Sequence, residues 1–181
     1  GICYRTIPGT HPTKGSFFTR GTSRDEYAKY SEDSKVYVRI VDRILKKWET
    51  AKLLVPKPVI YPNKKRSQYG LIFFGTTTHA ALEAMELLNS EGIFLDAMRV
   101  IAFPFNREVE DFIDNHEKVF VVEQNRDAQF RSLLINELDA NPKNLIPILN
   151  YDGMPITADA IKELIMQKHP LHSLEKIKTA S

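Results

Sequence analysis

The sequence is poor in cysteine, in clustered histidine and in long apolar runs, and each shortage excludes a kind of protein. Cys3 is the only thiol among 181 residues, so no intramolecular disulfide can form. An iron–sulfur cluster requires about four thiolates and a structural zinc site requires clustered Cys or His, so this chain alone can build neither. No run approaches the roughly 18 apolar residues of a membrane helix. We therefore expect a cytoplasmic chain without a metal site or membrane contact, in which Cys3 is an incidental buried thiol.

The length and the apolar content indicate one core with a segment attached to it. Apolar residues make up 43% of the chain, enough for one core of roughly 100–150 residues with about 30 residues left over. We predict an irregular linker arm over residues 1–32, an amphipathic helix over 33–54, an α/β/α domain over 55–168 and a tail over 169–181. Because the sequence starts without an initiating Met, we expect it to be a piece of a longer polypeptide.

The net charge of +2 conceals a strong asymmetry along the chain. Residues 1–68 hold 15 Lys/Arg and 6 Asp/Glu, a net charge of +9, whereas residues 69–181 hold 10 and 17, a net charge of −7. This asymmetry predicts that the basic part contacts a partner.

The arm also interleaves cations with aromatic side chains, as proteins that bind single-stranded nucleic acid do. These residues are Arg5, His11, Lys14, Arg20 and Arg24 with Tyr4, Phe17, Phe18 and Tyr27. Acidic residues in the same arm oppose phosphate contacts. Nucleic-acid binding is therefore an alternative function, and docking on a partner subunit or on the acidic part of the chain fits the arm as well.

Short apolar runs alternate with helical segments after Tyr69, which is typical of a parallel or mostly parallel sheet covered on both faces. Strands are predicted at 57–61, 70–75, 95–103, 119–122 and 145–149. Helices are predicted near 78–91, 107–116 and 127–138 and from Thr157, and the earlier helix has Ser31 or Asp33 as its N-cap. Asn106 is a predicted cap and Gly92 a predicted helix terminator. Two prolines place the first strand at an edge of a three-layer α/β/α domain.

Ligands bind at the carboxyl ends of the strands in sheets of this kind, so the strand exits are the candidate sites. The first exit is Gly75-Thr76-Thr77-Thr78, whose backbone N–H groups and hydroxyls can hold a phosphate at the start of the next helix. A tight turn with a threonine N-cap accounts for the same residues. A flavodoxin-like module that binds a phosphate ligand is therefore another alternative function.

The exit after the strand at 119–122 has more hydrogen-bonding side chains than a turn needs. The candidate residues of a site or a subunit interface are Glu123, Gln124, Asn125, Arg126 and Gln129. The structural alternative is that Asn125 or Asp127 caps the next helix while Glu123 pairs with Arg126 or Arg131.

The remaining polar residues carry no recognisable chemistry. No second carboxylate stands at a defined spacing from Glu123, so no acid/base pair is predicted. The histidines, His79 and His116 among them, lie at helix boundaries or in the tail, and we assign them surface or capping roles. No catalytic, cofactor-binding or metal-binding residue is predicted in this chain.

Several motifs together resemble a known enzyme family. They are YRTIPGTHPTKGSFFTRGTSRDEYAKYSED over residues 4–33, the lysine-rich helix to Trp48, YGLIFFGTTTHAALEAMELL, FVVEQNRDAQFRSLL and LNYDGMPIT. They resemble the C-terminal part of the alpha subunit of 2-oxoacid:ferredoxin oxidoreductases, and the 2-oxoglutarate branch most of all. The resemblance covers nearly the whole chain, and its most specific parts are PGTHPTKG, RGTSRDEY and EQN.

The resemblance implies one domain of a multi-subunit enzyme. Such enzymes decarboxylate a 2-oxoacid on thiamine diphosphate with Mg²⁺, pass electrons through iron–sulfur clusters to ferredoxin and form acyl-coenzyme A. The implied fold is a transketolase C-terminal-like domain, with a mixed five-stranded sheet that is mostly parallel and has one antiparallel edge strand. The cofactors are then expected on a preceding N-terminal domain of the alpha subunit and on the beta subunit. This chain is expected to contact both as a scaffold and to be inactive alone.

Overall fold

The computed structural model describes residues 1–2, 4, 7–15, 23–65 and 67–168. The chain divides between Val55 and Pro56 into two compact units. Several residues with sequence-based interpretations lie outside the described residues: Cys3, Arg5, Phe17, Phe18, Arg20 and the predicted tail at 169–181.

The described part of the first unit contains one helix, α1 (Ser34–Leu54). Asp33 is its N-cap, because its carboxylate accepts hydrogen bonds from the backbone N–H groups of Lys35 at 2.7 Å and Val36 at 3.4 Å. The helix ends at an extended Val55, since a residue that precedes a proline avoids the helical region. No residue of α1 is buried. None of the described helices is long and apolar enough to cross a membrane.

The second unit is a five-stranded sheet with helices on both faces. Its strands are β1 (Val59–Tyr61), β2 (Tyr69–Phe74), β3 (Asp96–Val100), β4 (Lys118–Glu123) and β5 (Leu145–Leu149). Its helices are α2 (Thr78–Ser90), α3 (Arg107–Asp114), α4 (Gln129–Leu138) and α5 (Ala158–Lys168), and one 3₁₀ turn at Gly75–Thr77 precedes α2. The strand order is β1-β3-β2-β4-β5, with β1 antiparallel and the other neighbours parallel. The predicted mixed sheet with an antiparallel edge strand is confirmed.

The central strands are apolar throughout because both faces of the sheet are covered. Leu71 and Phe73 of β2 are fully buried in the core that α2 and α5 cover. Ile72 points to the other side and is fully buried in the core that α3 and α4 cover. Successive side chains of a strand point to opposite faces, so a strand between two helical layers needs a continuous apolar run.

Two glycines occupy positions that a side chain would disturb. Gly92 has φ +81° and follows α2, and the next N–H group, that of Ile93, donates to the carbonyl of Leu88 at 2.9 Å. This is the helix ending that favours glycine, as predicted. At Gly70, a Cβ atom would lie 2.8 Å from Cε1 of Phe112, so its absence lets α3 pack closely on β2.

The predicted strand at 95–103 is too long, because β3 ends at Val100. Val100 pairs with Phe74, the last residue of β2. The following residue, Gly75, has φ +59° and turns the chain away from the sheet. Residue 101 therefore has no neighbouring strand residue with which to pair.

Asn106 occupies the N-cap position of α3, as predicted. The prediction that its side chain caps the helix is wrong. Its backbone is extended, but its side chain makes no capping hydrogen bond. Its Oδ1 atom is buried without a partner among the described residues. Glu108 and Glu110 in the first turn supply the negative charge that this end of a helix favours.

Candidate functional site

Three loops meet where the neighbouring parallel strands β2, β4 and β5 end. They are residues 75–78, 123–129 and 150–157. Together they form an open cleft of about 460 Å³ at the carboxyl edge of the sheet, the edge at which such folds bind ligands. The cleft is lined by Thr76, Gln124, Asn150, Tyr151, Gly153, Met154 and Pro155.

Glu123, the last residue of β4, is fully buried and serves as a cap for α4. Its Oε2 atom accepts hydrogen bonds from Nδ2 of Asn125 at 2.8 Å and from the backbone N–H of Phe130 at 2.7 Å. Its Oε1 atom accepts from the backbone N–H of Arg131 at 2.8 Å. The start of a helix carries a partial positive charge and unpaired N–H groups, which stabilise a carboxylate there. The carboxylate therefore has a structural role.

Asn125 closes the turn between β4 and α4. Its Oδ1 atom accepts from the backbone N–H groups of Asp127 at 3.1 Å and Gln129 at 3.3 Å. Ala128 lies at the N-cap position with φ +50°, a left-handed conformation that disfavours a Cβ atom. The hydrogen bonds of Asn125 and Glu123 hold this strained residue in place, so capping by Asn125, one of the two capping alternatives, is what the structure shows.

Neither arginine near this turn forms the predicted ion pair with Glu123. Nε of Arg126 lies 2.7 Å from Oδ1 of Asp127, and both side chains are exposed. Nε of Arg131 donates to the backbone carbonyl of Leu145 at 2.7 Å. The pairing failed because backbone N–H groups of α4 already occupy both oxygens of the buried carboxylate.

Gln124 connects all three loops. Its Nε2 atom donates to the hydroxyls of Thr77 at 3.1 Å and Thr76 at 3.4 Å. Its Oε1 atom accepts from the backbone N–H of Ile156 at 3.3 Å. The structure therefore brings the two predicted exits, at residues 75–78 and 123–129, into contact through one amide side chain.

The loop at Gly75 is a tight turn without the predicted threonine cap. Thr77 occupies the N-cap position of α2 but makes no capping hydrogen bond. The hydroxyl of Thr78 donates to the carbonyl of Gly75 at 2.7 Å. Thr76 is the member of this turn that lines the cleft. Phosphate binding by the turn stays a prediction.

The third loop, which follows β5, is the part of the cleft that the strand-exit reasoning missed. Oδ1 of Asp152 accepts from Nδ2 of Asn150 at 3.0 Å and from the backbone N–H of Met154 at 2.9 Å. Gly153 has φ +87°. Tyr151 and Met154 are 65% and 68% exposed. The Asp152-Gly153 dipeptide, which two residues separate from the end of β5, was the available signal for this turn.

Of the surface and capping roles assigned to the histidines, His116 has the capping role, because its ring contacts a carbonyl at the end of α3. The side chain is buried at the opposite, amino edge of the sheet. Its Nδ1 atom lies 2.6 Å from the carbonyl oxygen of Phe112, and its Nε2 atom lies 3.2 Å from Oδ2 of Asp96. This pair joins α3 to the start of β3 and is remote from the cleft.

The described residues contain no group of three or more His, Cys, Asp or Glu that can hold a metal ion. The polar side chains among the lining residues are the hydroxyl of Thr76, the amides of Gln124 and Asn150 and the phenol of Tyr151. Such a lining can recognise a surface by hydrogen bonds and apolar contact, but it offers no acid/base pair.

No protein-family model matches the chain. The chain is 30% identical over 154 residues to subunit alpha of 2-oxoacid:ferredoxin oxidoreductase 2 of Aeropyrum pernix, a match that covers 80% of this chain and 24% of the relative. It is 28% identical over 148 residues to the 2-oxoacid:ferredoxin oxidoreductase subunit alpha of Saccharolobus solfataricus, covering 79% and 23%. The chain thus spans about a quarter of the length of the curated relatives it matches.

The structure is similar to a 2-oxoglutarate:ferredoxin oxidoreductase from Magnetococcus marinus solved with 2-oxoglutarate, coenzyme A and succinyl-CoA bound. The TM-score is 0.73 at 20% identity, over 89% of this chain and 28% of that one. At this identity the likeness shows a shared fold. Together with the sequence relatives it confirms the resemblance predicted from the motifs.

Proposed function

We propose that this chain, a relative of the alpha subunits of 2-oxoacid:ferredoxin oxidoreductases, is the C-terminal scaffold domain of such a subunit. In this proposal the assembled cytoplasmic enzyme decarboxylates 2-oxoglutarate on thiamine diphosphate, reduces ferredoxin and forms acyl-coenzyme A. The chain contributes to assembly, performs no chemical step and is inactive alone. The observation that carries the proposal is the sequence similarity to two alpha subunits over about four-fifths of the chain.

The residues of this chain do not fit the cofactors of such an enzyme. One cysteine cannot ligate an iron–sulfur cluster. A Mg²⁺ ion that carries a diphosphate needs several available oxygen ligands, and the described residues contain no group of three or more His, Cys, Asp or Glu that could hold a metal ion. We therefore assign thiamine diphosphate, Mg²⁺ and the clusters to the beta subunit and to the N-terminal part of the alpha subunit.

The substrate assignment follows the Magnetococcus enzyme, whose structure holds 2-oxoglutarate, coenzyme A and succinyl-CoA. The test is to express the alpha subunit that contains this chain together with its beta subunit and to measure ferredoxin reduction dependent on coenzyme A. We expect turnover with 2-oxoglutarate, slower turnover with pyruvate, and none with this chain alone. Activity of the isolated chain, or a preference for pyruvate, would contradict the proposal.

We assign the cleft loops, with Glu123, Gln124, Asn125, Arg126 and Gln129, to a subunit interface. The support is the exposed Tyr151 and Met154 at the rim of a cleft whose polar loops are held together by hydrogen bonds. Tyr151→Ala should weaken association with the beta subunit in size-exclusion chromatography. Glu117→Ala, an exposed change at the amino edge of the sheet, is the matched control and should leave association unchanged.

Asn125→Ala should also lower assembly or turnover, but through the turn that Asn125 closes. A thermal melt of each variant separates the two effects, because only Asn125→Ala removes internal hydrogen bonds. Unchanged assembly and turnover in both variants would overturn the interface.

Binding of an oligonucleotide to the chain, weakening steeply with salt, would instead favour the nucleic-acid alternative.

A further inference from the structure

The four methionines of the chain differ sharply in their exposure, and all of them lie among the described residues. Met98 is fully buried and Met85 is 9% exposed, whereas Met154 is 68% exposed at the rim of the cleft. Met166 is partly buried and packs against the core that α2 and α5 cover. A dissolved oxidant must reach a sulfur atom to react with it, so Met154 is the methionine of this chain that it reaches most readily.

The backbone at Met154 is fixed on both sides, which keeps its side chain at the rim. Its N–H donates to Oδ1 of Asp152 at 2.9 Å, and its carbonyl accepts from Nδ2 of Asn150 at 3.2 Å. The next residue, Pro155, restricts the backbone of Met154 further. The side chain belongs to neither of the two apolar cores. A chemical change at its sulfur therefore alters the surface of the cleft loops and leaves the packing of the sheet intact.

Oxidation by a peroxide reverses the chemical character of this side chain. The sulfur bonds to one oxygen atom of hydrogen peroxide, the O–O bond breaks, and the other oxygen leaves as water after it takes up the proton of the first. The sulfur loses an electron pair and the peroxide gains it, so the reaction needs no further reductant. The product, methionine sulfoxide, is polar and chiral where the thioether is flexible and apolar.

We propose that Met154 is a peroxide-oxidation site, and that its conversion to the sulfoxide weakens the association of this chain with the beta subunit. This inference rests on the proposed function, since it requires that the cleft loops form the subunit interface. The thioether supplies an adaptable apolar contact at the rim, as does the ring of Tyr151. The sulfoxide places a hydrogen-bond acceptor against the partner instead, and burying such a group without a donor is unfavourable.

The test uses the alpha subunit that contains this chain, treated alone with dilute hydrogen peroxide and then cleared of it with catalase. Peptide mass spectrometry should detect the sulfoxide at Met154 several-fold sooner than at Met98. The treated subunit should bind the beta subunit several-fold more weakly in surface plasmon resonance, while its melting temperature stays unchanged. A methionine sulfoxide reductase should restore the affinity, which separates this reaction from the irreversible oxidation of a cysteine.

Two variants assign the effect to one side chain. Met154→Leu has no sulfur at the rim, so peroxide should leave its affinity for the beta subunit at the value of that untreated variant. Met166→Leu is the matched control, because it replaces the partly buried methionine of α5 by a residue of similar volume. Peroxide should weaken the association of this control as much as it weakens that of the unchanged subunit. An equal loss in Met154→Leu would overturn the inference.

The remaining outcomes separate the inference from the proposed function. If the subunits associate but Met154 is oxidised no faster than Met98, or its oxidation leaves the affinity unchanged, the inference is wrong and the proposed function stands. If the untreated subunits do not associate at all, both are overturned. Assembly with the beta subunit should also slow the oxidation of Met154, and equal rates in the free and the assembled subunit would contradict its place in the interface and overturn the inference.

Discussion

The two longest helices, α1 and α2, have similar amphipathic patterns and different surroundings. In α2, Thr78, Ala81, Ala84, Met85 and Leu88 are buried against the sheet and α5. In α1, which is eight residues longer, no residue is buried, and Tyr37, Val38, Ile44 and Leu45 are each more than half exposed. An apolar period therefore shows that a helix has an apolar face, and only the tertiary structure shows which residues of that face are buried.

The largest difference between the two helices should appear on truncation of a leucine. Leu88 of α2 is fully buried and Leu45 of α1 is 59% exposed. Leu88→Ala should lower the free energy of unfolding by about 3 kcal/mol, because it removes apolar contacts and leaves a cavity. Leu45→Ala should change it by less than about 0.5 kcal/mol. Urea unfolding followed by circular dichroism measures both free energies of unfolding. Equal losses from Leu88→Ala and Leu45→Ala would contradict the difference in burial between the two helices.

The next largest effect should follow from Glu123→Gln. The amide keeps the shape of the side chain but loses the charge and one acceptor, so a backbone N–H at the start of α4 loses its partner. We expect a loss of about 2–3 kcal/mol in the free energy of unfolding. Glu137→Gln, an exposed change on α4, is the control. A loss no greater than that of the control would show that the cap is not what stabilises the turn.

A change of opposite sign is expected at Ala128. Ala128→Gly relieves the left-handed backbone, φ +50°, and should raise the free energy of unfolding by roughly 0.5–1 kcal/mol. Asn136→Gly, in the regular and exposed part of α4, should lower it instead. Thermal melts of the two variants that shift in the same direction would contradict the strain assigned to residue 128.

The smallest effect concerns the exposed ion pair between Lys57 and Glu108, which joins the start of the edge strand to α3. The hydrogen bond from the Lys57 ammonium holds the pKa of Glu108 below its usual value. The ion pair therefore contributes fully to the free energy of unfolding above the ordinary carboxyl pKa. This contribution is lost as the pH falls through the lowered pKa of Glu108. Glu108→Gln should remove this small pH-dependent part. Melting temperatures from about pH 7 down to pH 3, with and without added salt, measure it.

Much of the fold was predictable because the signals are local. The prolines beside β1 forbid a central strand, and β1 is the edge strand. Gly92 was predicted to end α2 because the residue after a helix favours the left-handed conformation, and its φ is +81°. The end of β3 was not predictable, because it is set by the turn at Gly75 that ends the neighbouring strand β2 rather than by the apolar run itself.

The candidate site was predictable in its position and not in its roles. Glu123 and the residues after it are polar at a strand exit, and this pattern pointed to the cleft. The partners of the carboxylate lie seven and eight residues further on, at Phe130 and Arg131. They reach it only because Ala128 adopts a left-handed conformation, which no alanine would be expected to adopt.

By itself, the sequence determined the α/β/α layers, the edge strand and the family resemblance, because apolar alternation, prolines and motifs act over a few residues. Only the tertiary structure decided that Glu123 is a buried cap, that Gln124 joins three loops and that α1 has no buried residue. Each of these depends on groups far apart in the chain. Hydrogen-bond partners and burial are properties of what the folded chain brings together, and the order of residues does not contain them directly.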